Sequence, residues 1–333
     1  MGALENMQEE IIPMVPVLLL LGAGLGVDAV TVVAMSAGAA MIGSAFGPTN
    51  PFQAAIAMKL AELPVASALL PRTLMLIAAF VLWVGWTIRH ASKMRRAEEV
   101  RRADDEQRSF PPADARPTAT ATATATPRDV LIVAVSLVPL FAYVAGAMLW
   151  GWGFNELSAG FLIAAFAAGL LGGLSLASTT TVYLEGMQAL LPAAAMVGVA
   201  RAITLVLADG RVIDSILHAL ALPLDGASPS IGALLMIPLH VIVHVLVPSV
   251  SGHAVLTMPV LVPLSDLLGI PRSATVIAYQ TGAGLTEGLT PTNGALMAIL
   301  LAAGVPFGRW VWFAIGGIAL VAVVGVVAIV ALA

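Results

Sequence analysis

The sequence predicts an all-α polytopic membrane protein, and three observations support this fold class. Hydrophobic residues make up 59% of the 333 residues and only 10% are charged, whereas soluble domains carry about 25% charged residues. The mean hydropathy is +0.99. Apolar residues also form long runs, several of which approach the roughly 20 residues that a helix needs to cross a bilayer.

The composition also restricts the chemistry that the chain can carry out. The sequence contains no cysteine, which excludes a disulfide framework, a thiolate metal site and a cysteine nucleophile. The first ten residues contain three glutamates and no lysine or arginine. Because a signal peptide begins with a basic region, we expect no cleavable signal peptide.

Taken in order, the apolar runs predict about seven full or nearly full spans and several half-length helices. A polar corner at Asp209-Gly210-Arg211 predicts a helical hairpin over residues 183–222. The predicted helical segments are residues 11–26, 28–46, 52–63, 69–88, 130–150, 157–174, 183–208, 212–222, 231–247, 253–268, 274–280, 295–303 and 310–331.

Residues 89–128 form the only long hydrophilic stretch. It holds nine of the fifteen basic residues, an excess that marks the cytoplasmic side of a membrane protein. Six acidic residues are interleaved with them, so we interpret the stretch as a solvated linker rather than a nucleic-acid-binding or lipid-binding segment. The alternating Ala-Thr tract at residues 118–126 predicts disorder.

Two apolar segments are interrupted by the same tripeptide. Pro291-Thr292-Asn293 separates the half-length arms 274–280 and 295–303, and Pro48-Thr49-Asn50 follows the segment 28–46. Paired, Gly/Pro-interrupted helices in two halves of a chain indicate a transporter binding site, because unwound backbone inside a membrane must line a cavity or be buried in protein. The alternative is a chance tripeptide at two kinked helices, since Thr and Asn are ordinary turn residues beside Pro.

The interrupted segments carry the first candidate binding residues. Thr49, Asn50, Thr292 and Asn293 offer hydroxyl and amide groups that can coordinate a monovalent cation, and the N–H groups of the following half-helix attract a carboxylate. Glu287 is a further candidate, because a charge within the bilayer costs about 2.5–3.5 kcal/mol on insertion scales. It can bind a coupling proton, a cation or a cationic substrate group, or it can form a structural pair.

Arg201 and the histidines leave alternatives open. Arg201 can hold a substrate carboxylate through its guanidinium group, but we favour a structural pair with Asp209 or Glu185. His240 and His244 share one helical face and can ligate a metal. The His-Glu-x-x-His motif of zinc proteases is absent, so we favour packed or pore-facing histidines.

Several motifs resemble those of the YfcC family, which is related to the anaerobic four-carbon dicarboxylate carriers within the ion transporter superfamily. The resemblance extends over nearly the whole chain outside the linker. The matching segments are Glu185-Gly186-Met187 and residues 190–194, 199–204, 209–210, 213–214, 247–254, 256–259, 278–280 through 290–294, and in the first half 7–10 and 49–52.

The resemblance implies a secondary transporter with two inverted repeats, each contributing a re-entrant hairpin and an unwound helix. On the family pattern, the hairpin tips fall near Met7–Glu10 and at Pro248–His253, and the unwound helices fall near Thr49–Pro51 and at Thr290–Asn293. Together, the residue chemistry and the resemblance give the candidate substrate-binding or ion-binding residues. They are Thr49, Asn50, Ser249, Ser251, Gly252, Glu287, Thr290, Thr292 and Asn293, with Glu9, Glu10, Arg201 and His253 as further candidates.

The resemblance also organises the chain into domains. Residues 1–90 are the remainder of the first transmembrane repeat, residues 91–128 are a disordered cytoplasmic linker, and residues 129–333 are the second repeat. The Glu-Glu motif lies at residue 9, earlier than in the family, so we expect an incomplete first repeat. This pattern fits a fragment, a misassigned start or a reduced form of the transporter.

We therefore expect a secondary active transporter or exchanger of a small carboxylate-bearing solute, either a dicarboxylate or an amino acid, and not an enzyme. It is expected in the cytoplasmic (inner) membrane as a multi-pass protein, with Na⁺ or H⁺ as coupling ion, no other cofactor, no nucleic-acid partner and a homodimer as its assembly. The alternatives are an inactive truncated transporter and an intramembrane metal-dependent enzyme built on His240, His244 and His253.

Overall fold

A computed structural model describes residues 2–6, 8–48, 50–64, 67, 69–108, 127–150, 152, 154–224 and 227–332, with some helical side chains excepted. All regular structure in these residues is helical. Five helices are long and apolar enough to cross a membrane, namely Ala29–Phe46, Leu69–Arg96, Pro229–Leu246, Val250–Leu267 and Phe307–Leu332. The predicted class, a helical polytopic membrane protein, is confirmed.

The described helices follow the predicted order with shifted ends. They are Gly2–Glu5, the 3₁₀ helix Glu9–Met14, Val15–Gly24, Ala29–Val33, Ala39–Phe46, Ala54–Leu60, Leu69–Arg108, Pro127–Trp150, Phe154–Leu171, Leu176–Asp209, Val212–Ala221, the 3₁₀ helix Leu222–Leu224, Pro229–Leu246, Val250–Leu267, Arg272–Tyr279, Gly294–Ala302 and Phe307–Leu332, with π-helical segments at Ala34–Gly38 and Gln280–Gly284.

One helix is much longer than its sequence suggested. Leu69–Arg108 continues twenty residues beyond the predicted end at residue 88 and enters the stretch that we assigned to the linker. The extension is rich in Ala, Arg, Lys and Glu, which are strong helix formers even without a hydrophobic pattern. The predicted disordered tract at residues 118–126 lies outside the described residues.

The chain divides into two compact units, residues 1–100 with 192–333, and residues 101–191. Within the second unit, Pro127–Trp150 packs against Phe154–Leu171. The Nε atom of Arg128 donates to the Leu171 carbonyl at 2.5 Å. Since this contact joins the start of one helix to the end of the next, the two helices are antiparallel.

The first unit is built around two interrupted helices, which we call the first broken span (residues 29–60) and the second broken span (residues 272–302). Each contains a π-helical segment ahead of its break, at Ala34–Gly38 and at Gln280–Gly284. π-Helical turns leave carbonyl groups without their usual partners and often mark functional sites.

Two buried tryptophans satisfy carbonyl groups of these irregular segments. Trp83 Nε1 donates to the Ala34 carbonyl at 3.0 Å, and Trp310 Nε1 donates to the Gly288 carbonyl at 2.8 Å. The two indole rings are in tilted contact, and Phe313 packs on both. The long helices that carry these tryptophans therefore hold both broken spans in place.

Candidate functional site

The two broken spans meet at their irregular segments. Gln280 Nε2, at the start of the second π segment, donates to the Ala45 carbonyl of the first broken span at 3.0 Å. A Cβ added to Gly284 would lie 2.8 Å from the Ala45 Cα atom. Because only glycine allows so close an approach of two backbones, the second broken span crosses the first at this residue.

Asn50 and Asn293 have equivalent roles in the two breaks. Asn293 Oδ1 accepts from the Leu296 N–H at 3.1 Å and caps the helix Gly294–Ala302. Asn50 Oδ1 accepts from the N–H groups of Phe52 and Gln53 at 2.9 and 3.0 Å. Both side chains are buried. Each asparagine therefore replaces the hydrogen bonds that the interrupted helix leaves unmade.

The amide nitrogens of the same asparagines tie each break to a second segment. Asn293 Nδ2 donates to the Glu287 carbonyl at 3.1 Å, and Asn50 Nδ2 donates to the Gly2 carbonyl at 2.9 Å. Both amides are thus fully engaged within the protein in this conformation. Thr49, the remaining candidate of the first break, lies outside the described residues.

Two threonines of the second break connect it to the neighbouring helix. The Thr290 and Thr292 hydroxyls lie 2.7 Å apart, and Thr292 Oγ1 donates to the Val245 carbonyl at 2.7 Å. Val245 belongs to Pro229–Leu246, the first arm of the helical hairpin formed with Val250–Leu267. The predicted unwound segment and the predicted hairpin are therefore in direct contact.

Glu287 is buried, with 5% of its surface exposed, and lies between the two halves of the chain. Its Oε2 atom accepts from Gln8 Nε2 at 2.5 Å. Its Oε1 atom lies 4.0 Å from His244 Nε2. The first-half segment that begins at Gln8 thus reaches the break of the second half.

The neighbouring acids of that first-half segment differ in exposure. Glu9 is exposed at the start of the 3₁₀ helix Glu9–Met14, whereas Glu10 is buried. This 3₁₀ helix packs against Gly294–Ala302, the half-helix that follows the second break. Both acids therefore lie on an element that contacts the second broken span.

Three histidines form a fully buried cluster on the hairpin. His240 Nδ1 lies 2.8 Å from His253 Nε2, and the His244 ring centroid is 5.4 Å from that of His253. The Tyr279 ring packs on His240 and His253, and its hydroxyl donates to the Val250 carbonyl at 2.6 Å. Among the described residues, no group of three or more His, Asp or Glu side chains has a geometry that could hold a metal ion.

The predicted hairpin tip lies beside this cluster. The helix Pro229–Leu246 ends before Val247, and Ser249 caps the helix Val250–Leu267 by accepting from the Gly252 N–H at 3.4 Å. Ser249 and Ser251 are half-buried and Gly252 is exposed. His253 is the only tip candidate that the structure buries. Arg201 lies in the helix Leu176–Asp209, but its side chain is outside the described part of the chain.

The structure adds polar residues that the sequence analysis did not select. Gln8 and Gln280 join the two halves, and Arg72 is almost fully buried with its Nη2 atom 3.5 Å from Gln280 Oε1. A polar side chain inside an apolar helix is unfavourable without a partner. Gln280 and Arg72 each lie beside a strongly apolar stretch of sequence, and this position was the sequence feature by which they could have been selected.

Comparisons with known proteins identify a family and two relatives of this chain. Over residues 1–333 the chain matches the family described as DcuC: C4-dicarboxylate anaerobic carrier. An uncharacterized protein of Haemophilus influenzae is 28% identical over 317 residues, which cover 94% of this chain and 61% of the relative. The Escherichia coli protein named "Putative basic amino acid antiporter YfcC" is 27% identical over 320 residues, which cover 93% of this chain and 63% of the relative.

The chain spans less than two-thirds of the length of each of these two curated relatives. No solved structure matches it. The family match nevertheless covers every element that builds the two breaks, and it confirms the resemblance that the sequence motifs carry. The chain therefore belongs to the DcuC family, the C4-dicarboxylate anaerobic carriers.

Proposed function

We propose that the protein is a secondary active transporter or exchanger of a small carboxylate-bearing solute across the cytoplasmic membrane. The observation that carries the proposal is the meeting of two broken spans, one from each half of the chain, through Gln280 and Ala45. Broken helices that meet in this way place free backbone groups and helix termini at one point, where solutes and ions bind in transporters.

The proposed architecture is a pair of inverted repeats. In both broken spans a π-helical segment precedes the break, and a buried asparagine, Asn50 or Asn293, organises the turn after it. The hairpin formed by Pro229–Leu246 and Val250–Leu267 supplies the re-entrant element of the second repeat. Residues 8–14 supply the corresponding tip of the first repeat, which is supported by the contact of Gln8 with Glu287.

The substrate is proposed to be a dicarboxylate or an amino acid. The family description names C4-dicarboxylates, whereas the printed name of the Escherichia coli relative refers to basic amino acids. A carboxylate group is common to both classes and suits the exposed N–H groups at the start of a half-helix. Residues 91–128 would lie on the cytoplasmic side, and a homodimer is the proposed assembly.

The experiment is uptake of radiolabelled dicarboxylates and basic amino acids into liposomes containing the purified chain, with and without a Na⁺ gradient. We expect Asn50→Ala and Asn293→Ala to abolish uptake, because each removes the group that shapes one break. Asn155→Ala is the matched control, since Asn155 is exposed in the other compact unit. Normal uptake by both variants would contradict the assignment of Asn50 and Asn293 to the binding site.

A second variant distinguishes a folded protein with a defective binding site from a protein that has not folded. Asn293→Asp keeps a side-chain oxygen that can accept from the Leu296 N–H but loses the donor to the Glu287 carbonyl. We expect this variant to elute from a size-exclusion column like the unmodified protein and still to lose uptake. An Asn293→Asp protein that is folded and fully active would show that the contact with Glu287 is dispensable.

A further inference from the structure

Glu287 carries a buried carboxyl group that no fixed positive charge balances. Its hydrogen-bond donor is the uncharged Gln8 amide, and the nearest group able to carry a positive charge is His244, 4.0 Å away. The ion pairs found among the described residues place no lysine or arginine at this carboxyl group. The 3₁₀ helix that follows Gln8 carries two further acids, Glu9 and Glu10, and no basic residue.

A lone ionised carboxylate in such surroundings is strongly unfavourable, because burial removes its hydration and no opposite charge replaces it. Two arrangements remove the penalty. Either Glu287 holds a proton, or it is ionised beside a protonated His244. Both arrangements place one exchangeable proton on the same pair of side chains, and they differ only in which atom carries it.

The histidine cluster extends this pair away from Glu287. His253 lies between His244 and His240, with ring centroids 5.4 and 5.0 Å from theirs, and it is hydrogen-bonded to His240. Four ring nitrogens in the cluster have no hydrogen-bond partner among the described residues, namely His240 Nε2, His253 Nδ1 and both nitrogens of His244. An imidazole with a free nitrogen can accept a proton at one nitrogen and release one from the other.

Other polar groups around the cluster are already engaged. The Tyr279 hydroxyl donates to the Val250 carbonyl, and Arg72 faces Gln280 on the same broken span. Glu10, on the first-half segment, has a buried Oε2 atom that no described residue contacts by a hydrogen bond. In the described part of the chain, the groups left to carry the exchangeable proton are therefore Glu287, the neighbouring acids Glu9 and Glu10, and the three histidines.

We propose that Glu287 and the cluster of His240, His244 and His253 form a proton-binding network, and that the coupling ion of the transporter is H⁺. This inference rests on the proposed transport function. In the transfer step the Glu287 carboxylic acid gives its proton to His244, which leaves a carboxylate and an imidazolium. A shift of about 1 Å would bring Glu287 Oε1 and His244 Nε2, now 4.0 Å apart, to hydrogen-bond distance for direct transfer.

The network can couple to the solute because it shares atoms with the second break. The Glu287 carbonyl accepts from Asn293, and its carboxyl group accepts from Gln8 of the first half. A change in the charge of Glu287 therefore acts on the contact between the halves and on the cap of the half-helix. Those are the elements that an alternating-access motion would have to rearrange.

The test uses protons as the probe, in infrared difference spectra of the purified protein in lipid after a pH jump. We expect a carboxylic acid or imidazolium band that disappears in Glu287→Gln and persists in Glu185→Gln, which makes the same chemical change at an exposed residue. His244→Asn, which keeps Glu287, should shift the band. Spectra of Glu287→Gln that equal those of the unmodified protein would overturn the proposal.

A second readout separates this inference from the transport proposal. In liposomes with an internal pH indicator, solute movement should drive a pH change that is lost in Glu287→Gln and retained in Glu185→Gln. Solute uptake that depends on Na⁺ and moves no protons would overturn the H⁺ assignment while leaving the transport function intact. Absence of any uptake would overturn the transport function, and the infrared result would still decide whether the proton site exists.

Discussion

The crossing of the two broken spans can be tested by adding one methyl group. In Gly284→Ala, the new Cβ would lie 2.8 Å from both the Cα and the Cβ of Ala45, and it would overlap the side-chain amide nitrogen of Gln53. The Gln53 amide can rotate away, but the Ala45 Cα belongs to the backbone of a buried helix. The two spans must therefore separate to accommodate the methyl group.

Overpacking of this kind costs about 1–3 kcal/mol in well-packed cores. We expect the upper part of this range, because two backbones have to move and the Gln280 hydrogen bond to the Ala45 carbonyl lies in the same contact. Gly85→Ala is the matched control. Its Cβ would meet nothing within 4 Å, and alanine is the better helix former, so it should not destabilise the protein.

The measurement is thermal unfolding of both variants in detergent, followed by tryptophan fluorescence and by the fraction that remains monodisperse on a size-exclusion column. Gly284→Ala should unfold at a lower temperature than the unmodified protein, and Gly85→Ala at the same or a higher temperature. If Gly284→Ala unfolded at or above the temperature of the Gly85→Ala control, the close contact between the broken spans would be wrong.

Two further predictions concern the supports of these spans. Trp310→Phe keeps most of the ring packing but leaves the buried Gly288 carbonyl without its donor, which should lower the free energy of unfolding by about 1–3 kcal/mol in chemical denaturation. Burial disfavours ionisation of Asp28, but hydrogen bonds from Thr31 and the charge of Arg309 outweigh it and hold the pKa of Asp28 below its ordinary value. Its contribution to stability is therefore complete above the ordinary Asp pKa of about 3.9 and is lost as the pH falls through the lowered folded-state value. The free energy of unfolding of the unmodified protein should therefore fall as the pH drops through this range, and the fall should be smaller in Asp28→Asn. The same dependence of unfolding free energy on pH in both proteins would show that the ionised Asp28 carboxylate does not stabilise the fold.

The breaks could be predicted from sequence because local chemistry causes them. Proline removes a backbone donor and asparagine supplies a cap, so Pro48-Thr49-Asn50 and Pro291-Thr292-Asn293 each favour the end of one helix and the start of the next. The hairpin was predictable for the same reason, since Pro248 and Gly252 flank its turn. In both cases the residues that determine the structure are neighbours in the chain.

The contacts that make a site out of these breaks are not local. Gln8 and Glu287 are 279 residues apart, and nothing in their own neighbourhoods indicates that they meet. The first π-helical segment also makes a non-local contact, since its Ala34 carbonyl accepts from Trp83 of another helix. The helix between residues 89 and 108 was not predicted, because the prediction relied on apolar patterns and this segment is helical through the intrinsic propensity of its polar residues.

These long-range contacts make each half of the chain part of the other's structure. Asp28, at the start of the first broken span, pairs with Arg309 at 3.0 Å, and Gln8 holds Glu287. The half-helix Ala54–Leu60 packs on the hairpin arm Val250–Leu267. Most polar groups of each break are satisfied within their own half, but Gln8 with Glu287, Gln280 with Ala45 and Arg309 with Asp28 are contacts between the halves. Separating the halves would leave these contacts unmade. In the proposed transporter, these contacts between the halves would connect a proton at Glu287 to a solute bound near the breaks.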